Sequence, residues 1–410
     1  MRTPAEAVSI ILQATPTPSG PESCPLAEAA GRVLASAVTS DIDLPPFEKS
    51  AMDGYAVHRS DFAGLAEGAE ARLELLGESR AGEPFAGPVP PGASVAIYTG
   101  GEVPADCDAV VMVEKSRREE APDGSHYVSL ADRPAERQHI CAKGEDLALG
   151  DEVLPAGTRL APAMVSLLAS VGCEPVPVVR RPRLAILTSG DELVAPTETP
   201  GPGQIREGNT LHLAALARAA GAEVVRSGVV RDELDGLAAT LRAALDECDV
   251  LVTTGGVSMG KYDLMGEALE RIGVEKVFHK VSIKPGKPVW FGRKGEKLVF
   301  GLPGNPVSCW VGLEVFVRPA LAKLCGLPEA EWQRPLRRGR WIGRETRQLD
   351  REQNLPARVA QGADGVDELE SVRWKGSGDL AGLARATALA IVPTGHVLRP
   401  GDPVTFQPIL

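Results

Sequence analysis

The sequence predicts a multidomain protein of the α/β-plus-β class, with a central doubly wound α/β domain flanked by β-rich parts. Three observations carry this. From Arg183 to about Cys325, apolar strand-like runs alternate with segments of helical period. Residues 57 to 138 hold strand-length apolar or alternating runs separated by Gly and Pro clusters. After Pro335 the chain returns to short alternating runs with Gly and Pro turns, which reads as a small separate β domain. A length of 410 residues suits two to four domains.

Each element has its own local signal. Thr3-Pro4-Ala5-Glu6 is a capping box with proline at the first helical position. Val8, Ile11 and Leu12 then give one apolar face to a helix ending near Gln13. Residues 15 to 25 contain four prolines and are expected to form an irregular linker. A second helix is expected from Leu26 to about Gly31. Met52-Asp53-Gly54 precedes Tyr55-Ala56-Val57, so Asp53 is placed in a turn opening a strand. The simplest role for Asp53 is a turn former bonding its own backbone. LELLGE, SVAIYTGG and AVVMVEKS are strands, and Thr99-Gly100-Gly101 ends the second. KGEDLALGDEVLPAGTRLAP has several glycine turns and little core material, so an extended connection is expected. Pro162 to Val171 is a short helix stopped by Gly172.

In the α/β part, LAILTSG is a buried strand ending in Ser189-Gly190. Asn209 is the expected N-cap of a helix through Leu211, Leu216 and Ala219. EVVRSGVV is the next strand, and Leu234, Leu237, Leu241 and Leu245 mark a helix packing one face on a sheet. Val250, Leu251, Val252, Thr253 and Thr254 form a buried β-branched strand that ends in Gly255-Gly256. A helix through Leu264, Leu269 and Ile272 follows. VFHKVSIKPGKPVWFG and KLVFGLP are strands, the first bent at Lys284-Pro285-Gly286-Lys287-Pro288. Asn305-Pro306 opens a long helix reaching about Cys325.

Composition narrows the function. A formal net charge of -11 argues against general binding to nucleic acid or an anionic membrane. Any anionic ligand must be met by local Lys, Arg and backbone N–H groups. Seven scattered cysteines without a CxxC pair and six dispersed histidines offer no disulfide framework and no zinc site. No signal-peptide pattern and no apolar run of membrane-spanning length is present, so a cytoplasmic location is expected.

Three predicted loops follow the carboxyl ends of buried strands: Thr188 to Glu192, Thr253 to Gly256, and Leu302 to Pro306. In an open α/β sheet these ends face one edge and can line one crevice. Gly255 and Gly256 allow a ligand to approach main-chain N–H groups, and Ser258 adds a hydroxyl. In Pro303-Gly304-Asn305-Pro306, Gly304 permits close approach, Asn305 can cap, and Pro306 wastes no N–H at a helix start that favours anions. Lys284 and Lys287 flank a stiff Pro-Gly and suit a tetrahedral oxyanion or a phosphate. Asp191, Glu192, Asp232 and Asp263 fall near the same edge, where Mg²⁺ could bridge carboxylates to a ligand's phosphates. Each of these carboxylates alone also suits a cap or turn, and Asp232 directly precedes a helix. The residues by themselves thus describe a protein for a phosphorylated ligand, Mg²⁺ and a second oxyanion.

SAMDGYA (50 to 56), TGGEVPADCDAVVMVE (99 to 114), GED (144 to 146), TSGDEL (188 to 193), TTGGVSMGKYD (253 to 263), KPGKP (284 to 288) and LPGNPVS (302 to 308) occur in one order along the chain. In that order and spacing they resemble the molybdopterin molybdenumtransferase family, the MoeA proteins, related to the C-terminal domain of gephyrin. GSGDLAGLARATALAIVP (376 to 393) resembles the family's C-terminal barrel. The resemblance implies an elongated homodimer with four domains per chain. These are an extended linker domain (21–47 and 140–180), an inserted β-rich domain (48–139), a MogA-like molybdopterin-binding α/β domain (1–20 and 181–328) and a C-terminal β-barrel (329–410).

It also implies ligation of molybdate to adenylated molybdopterin with Mg²⁺ and release of AMP, the metal being held by the dithiolene sulfurs of the pterin. Carried over by motif, Thr188, Ser189, Gly190, Thr254, Gly255, Gly256, Ser258, Pro303, Gly304, Asn305 and Pro306 would border the pterin phosphate. Lys284 and Lys287 would attract molybdate. Asp191, Glu192, Asp232 and Asp263 would serve Mg²⁺ or pyrophosphate cleavage, and Asp53, Thr99 and Asp146 would come from other domains, across the dimer. Transient partners would be molybdopterin adenylyltransferase and other molybdenum-cofactor proteins. Three positions depart from the family pattern: Glu207-Gly208, where Asp then Ser or Thr is common; Lys261, where an acid is frequent; and Thr387, where Asn is frequent. Two other readings stand beside this one, a molybdopterin adenylyltransferase and a gephyrin-like scaffold protein. The first would consume ATP; the second would leave the paired lysines without a task.

Overall fold

The computed structural model describes residues 1–66, 68–231, 233–256, 264–373 and 375–409. It divides into two compact units: Met1–Ser36 with Ala156–Val165 and Pro175–Leu410, and Ala37–Pro155 with Ser166–Glu174.

The first unit is built on a six-stranded sheet. Its strands are β1 (Arg183–Ser189), β2 (Glu223–Val230), β3 (Val250–Thr254), β4 (Glu275–His279), β5 (Trp290–Lys294) and β6 (Lys297–Leu302), in the order β2-β1-β3-β6-β5-β4. β2, β1, β3 and β6 are mutually parallel neighbours, while β5 is antiparallel to both β6 and β4. Period-two alternation sends successive side chains to opposite faces. Leu184, Ile186, Val250, Val252, Leu298 and Phe300 pack on one face, with α1 (Pro4–Ala14) and α2 (Asn209–Ala219). Ala185, Leu187, Leu251 and Val299 pack on the other, with α3 (Leu234–Glu247) and α4 (Leu264–Arg271). Both faces are covered, as near-continuous apolar strands require.

Two helix starts follow their chemistry and one here does not. Thr3 and Glu6 close the expected capping box on α1. Glu233 caps α3 through the N–H groups of Asp235 and Gly236; Asp232 lies outside the described residues. On α2, Gly208 occupies the cap and Asn209 is the first helical residue, so Asn209 is not the expected N-cap. The long helix after Asn305 consists of α5 (Pro306–Gly312), a π-turn segment Leu313–Val317 and a further helix Arg318–Leu324.

The expected irregular linker contains a strand. Pro21–Cys24 pairs antiparallel with Val176–Val179, in two-stranded isolation, where proline at the first position costs no ladder bond. The helix expected from Leu26 is only a 3₁₀ turn, Leu26–Glu28.

The last strands of this unit close a barrel. Glu352–Gln361, Asp367–Ser371, Arg337–Trp341, Pro403–Pro408 and Ala388–Val392 pair in that order, and the last pairs back on the first. Thr387 Oγ1 accepts the Val359 N–H at 3.0 Å, a local bond at one of the departures from the family pattern. Ile283–Lys284 adds to the barrel as a parallel neighbour of Glu352 and Gln353. Buried Glu314, on the π-turn segment, accepts from Arg334 Nε at 2.9 Å and sits 3.6 Å from Arg318 Nε.

The second unit carries a six-stranded sheet in the order Ala109–Met112, Gly54–Val57, Ala93–Ile97, Ala71–Ser79, His126–Leu130 and Ser116–Glu120. Gly54 is forced: a Cβ there would lie 2.1 Å from the Val111 carbonyl oxygen. Asp53, just before it, does not bond its own backbone. Its carboxylate accepts both the Thr99 N–H and the Thr99 hydroxyl at 2.7 Å, across 46 residues. Those two donors hold the Asp53 carboxyl below its ordinary value of 3.8.

Two outcomes follow. Glu314→Ala leaves two partly buried guanidinium groups unpaired, and urea unfolding should show a loss of about 3 kcal/mol. For Asp53, a depressed folded value means that its stabilising share is complete above 3.8 and fades as pH falls through the lower folded value. Thr99→Val removes one of the two donors, so the Asp53 carboxyl midpoint followed by NMR should rise toward 3.8 without reaching it.

Candidate active site at the strand-end cavity

Register brings the three predicted loops together. Thr188 lies opposite Thr254, and Thr254 opposite Leu302, so β1, β3 and β6 end in one row. The chain leaves β1 for β2 on one side and returns to β3 on the other. The crevice between β1 and β3 is therefore a topological switch point, where open α/β sheets take ligands. A cavity of about 590 Å³ opens there. Of the residues expected at it, Thr188, Ser189, Glu192, Gly255, Gly256, Gly304, Asn305 and Pro306 line it. Gly190, Asp191, Thr254 and Pro303 stand in the same three turns without lining it.

The glycines are there because the turns touch. Gly255 has φ +83°, and a Cβ on it would lie 2.3 Å from the Ser189 carbonyl oxygen. A Cβ on Gly304 would already lie 3.6 Å from the Gly255 Cα. Two backbones thus approach each other beneath any ligand. Under them, Thr254 Oγ1 donates to Thr188 Oγ1 at 3.3 Å, and the Thr188 and Thr210 hydroxyls meet at 2.9 Å. Ser189 Oγ is buried and has no hydrogen-bond partner among the described residues. An unmade bond of that kind costs about 1–3 kcal/mol, which a ligand oxygen would remove.

The segment 205–209 also lines the cavity; the sequence marked Glu207-Gly208 as a departure from the family motif and Asn209 as a cap, but not Ile205 or Arg206. Glu207 is buried and its Oε1 accepts the Thr210 N–H at 2.7 Å, so the longer carboxylate serves the start of α2. Asn209 Nδ2 donates to the Gly304 carbonyl at 2.6 Å and ties α2 to the third turn. Its partner lies 95 residues away, so no local pattern could reveal it. Gly378 and α6 (Leu380–Leu383) supply the remaining wall through Gly378 and Leu380.

Three expectations change in detail. Asn305 occupies the cap of α5, but its side chain makes no capping bond. The Val307 N–H is taken by the Ser377 carbonyl at 3.0 Å, so this helix start offers an anion fewer free donors than its sequence suggests. Lys284 and Lys287 do not line the cavity. Lys284 is half-buried on the strand that joins the barrel, and Lys287 is exposed. Their loop packs beside α5, where a Cβ on Gly286 would lie 3.7 Å from the Ser308 carbonyl. Neither lysine forms an ion pair among the described residues.

Asp232, Ser258 and Asp263, like Lys261, lie outside the described residues. Among the described residues no group of three or more His, Cys, Asp or Glu could hold a metal ion. Burial pushes the thiols of Cys107, Cys248 and Cys309 up to about 12 and that of Cys325 to about 11. Burial thus disfavours the thiolate forms of these four cysteines. Asp53 and Thr99 form their pair on the second unit, and Asp146 is exposed in a turn of that unit.

Three family models match along the chain. One described as MoeA N-terminal region (domain I and II) covers residues 2–172. One described as a probable molybdopterin binding domain covers 185–323, and one described as MoeA C-terminal region (domain IV) covers 343–409. A molybdopterin molybdenumtransferase of Nostoc sp. is 34% identical over 370 residues, spanning 89% of this chain and 83% of the relative. That of Bacillus subtilis is 37% identical over 290 residues, spanning 71% and 67%. The crystal structure of a molybdopterin biosynthesis MoeA protein from Pyrococcus horikoshii matches with a TM-score of 0.81 at 29% identity over 100% of both chains. Identity and fold agree over the whole length, and the chain belongs to the molybdopterin molybdenumtransferase, or MoeA, family.

Proposed function

We propose that this protein inserts molybdate into adenylated molybdopterin, with Mg²⁺ and release of AMP, as a step of molybdenum cofactor biosynthesis. The observation that carries this is the cavity at the β1/β3 switch point, with its close-packed glycine turns and the unpartnered Ser189 hydroxyl. Such a cavity suits a pyrophosphate: the backbone can come close, and an oxygen acceptor satisfies Ser189. The cysteines are scattered along the chain, which suits the reading that the pterin's own sulfurs, not the chain, hold the molybdenum.

Among the described residues Glu192 is the exposed carboxylate of the cavity, and Glu207 is committed to Thr210. Mg²⁺ needs only one or two carboxylates when substrate phosphates complete its shell, so the residues present fit it. Glu192 would hold it, with Asp191, Asp232 and Asp263 as further candidates. When bound, Mg²⁺ supplies charge neutralisation to the pyrophosphate. Gly255 and Gly256 let the main chain approach that group, Ser189 orients it, and Asn305 borders it. Lys284 and Lys287, beside the start of α5, would draw in molybdate by charge. The roles implied for Asp53, Thr99 and Asp146 belong to the same proposal, as does a homodimer bringing them from a second subunit. So do transient partners, molybdopterin adenylyltransferase among them, and a cytoplasmic location. Among the described residues no helix is long and apolar enough to cross a membrane.

The test is AMP release from adenylated molybdopterin. Release should need molybdate and Mg²⁺ together and should consume no ATP; ATP consumption with free molybdopterin would favour the adenylyltransferase instead. Glu192→Gln should lower the rate about 10²-fold. Lys284→Ala with Lys287→Ala should raise the molybdate KM about tenfold with AMP release otherwise intact at saturation. An unchanged KM would remove the lysines from oxyanion capture.

A further inference from the structure

A second hollow of about 390 Å³ lies beside the strand-end cavity. His212 and Leu216 of α2, Trp310 of α5, and Leu380, Leu383 and Ala384 at α6 line it. Leu380 lines both hollows. The helices are shared too: Asn209 and Pro306 face the first, while His212 and Trp310, three and four residues further on, face the second. Residues three or four apart share one side of a helix. The two hollows therefore follow one cleft between α2 and α5, rimmed by α6, polar at the strand ends and apolar beyond.

The apolar end carries two planar groups with open polar edges. Trp310 is only 3% exposed, and its indole N–H, which is not one of the buried unpartnered atoms, makes no hydrogen bond within the described residues, so it is open to the hollow. The His212 side chain is half-buried and likewise makes no hydrogen bond among them. Burial lowers its pKa from 6.5, so the imidazole is neutral near pH 7 and offers one donor and one acceptor. An aliphatic occupant would leave both groups unsatisfied. A fused heterocycle has apolar faces for the leucines and a hydrogen-bonding edge for the indole and imidazole.

We infer that this slot seats the planar fused ring, pterin or adenine, of the ligand whose phosphates enter the strand-end cavity. The inference rests on the proposed function and adds the ring subsite to it. The ring is held one to two helical turns from the phosphates, and the cleft measures that separation. A ligand with phosphate but no ring uses only half of it.

Calorimetric titration of three probes separates the parts: inorganic pyrophosphate, AMP and neopterin. Ala384 is exposed, so Ala384→Phe narrows the slot from its rim, and Ala384→Ser is the control. Ala384→Phe should weaken AMP or neopterin about tenfold or more and leave pyrophosphate unchanged within about twofold. The ring probe that weakens names the ring. Equal binding of both ring probes to Ala384→Phe and wild type overturns the inference, as does failure of both to bind wild type. If pyrophosphate fails to bind while a ring probe responds, the slot stands and the strand-end phosphate site falls. A second readout covers a variant that does not fold: in the wild type the Trp310 indole N–H resonance, assigned through Trp310→Phe, should move with a ring probe and not with pyrophosphate. An unmoved resonance at saturation with both ring probes also overturns the inference.

Discussion

Three carboxyl ends held in one row decide where this protein can meet a ligand. β1, β3 and β6 are parallel, and Thr188, Thr254 and Leu302 lie side by side. Parallel strands need long crossovers, and these return every strand to the same edge. Burial on both faces locks the register, because a slip by one residue would exchange the side chains of the two faces. Everything local at the cavity then follows from crowding. Three turns leaving adjacent strands compete for the same space, and only glycine at 255 fits against the Ser189 carbonyl.

Charge in the cavity is mixed. The chain is acidic overall, with a formal net charge of -11. Glu192, Glu207 and Arg206 line the cavity, and the paired lysines do not. A phosphate next to an exposed carboxylate is repelled unless a cation stands between them. Under the proposed function Mg²⁺ would stand beside Glu192, while Glu207 is accounted for by the α2 start. The loop of Lys284 and Lys287 packs beside α5 and is tied to the barrel through Ile283 and Lys284. Its position suits drawing an anion toward the site more than gripping one already in it.

The sequence was most legible where pattern is local. Buried β-branched runs named β1, β3 and β6, and spacing named α3 and α1. The glycine turns at 255 and 304 were readable because a turn after a buried strand leaves few other reasons for glycine. Legibility failed where a partner is remote. Asn209 has the composition of a cap, but its amide serves the Gly304 carbonyl instead. Asp53 has the composition of a turn former, yet its donors come from Thr99. Pro21–Cys24 looked irregular because proline usually breaks a ladder, and here it begins one. The Ser377 carbonyl on the Val307 N–H comes from 70 residues downstream, so the openness of the α5 start could not be judged from its own sequence.

The cavity wall formed by α5 is held at both ends, and the two anchors differ in kind. At its start, Asn209 binds the Gly304 carbonyl and Ser377 takes the Val307 N–H, both neutral bonds at the cavity's edge. Beyond its end, the helix passes into the π-turn segment, where Glu314 meets Arg318 and Arg334 and accepts weakly from Gln407 at 3.4 Å. Gln407 belongs to the last barrel strand, so the barrel is tied to this helix by a buried charge. Buried ion pairs give little net stability but strongly penalise any arrangement that leaves one member alone. A helix pinned this way has one permitted position along its axis. That matters because Pro306 and Trp310 face two different hollows from one side of α5. A shift of α5 would move both walls together, so the anchors fix where the two hollows stand against α2 and the barrel, while the helix itself sets the distance between them.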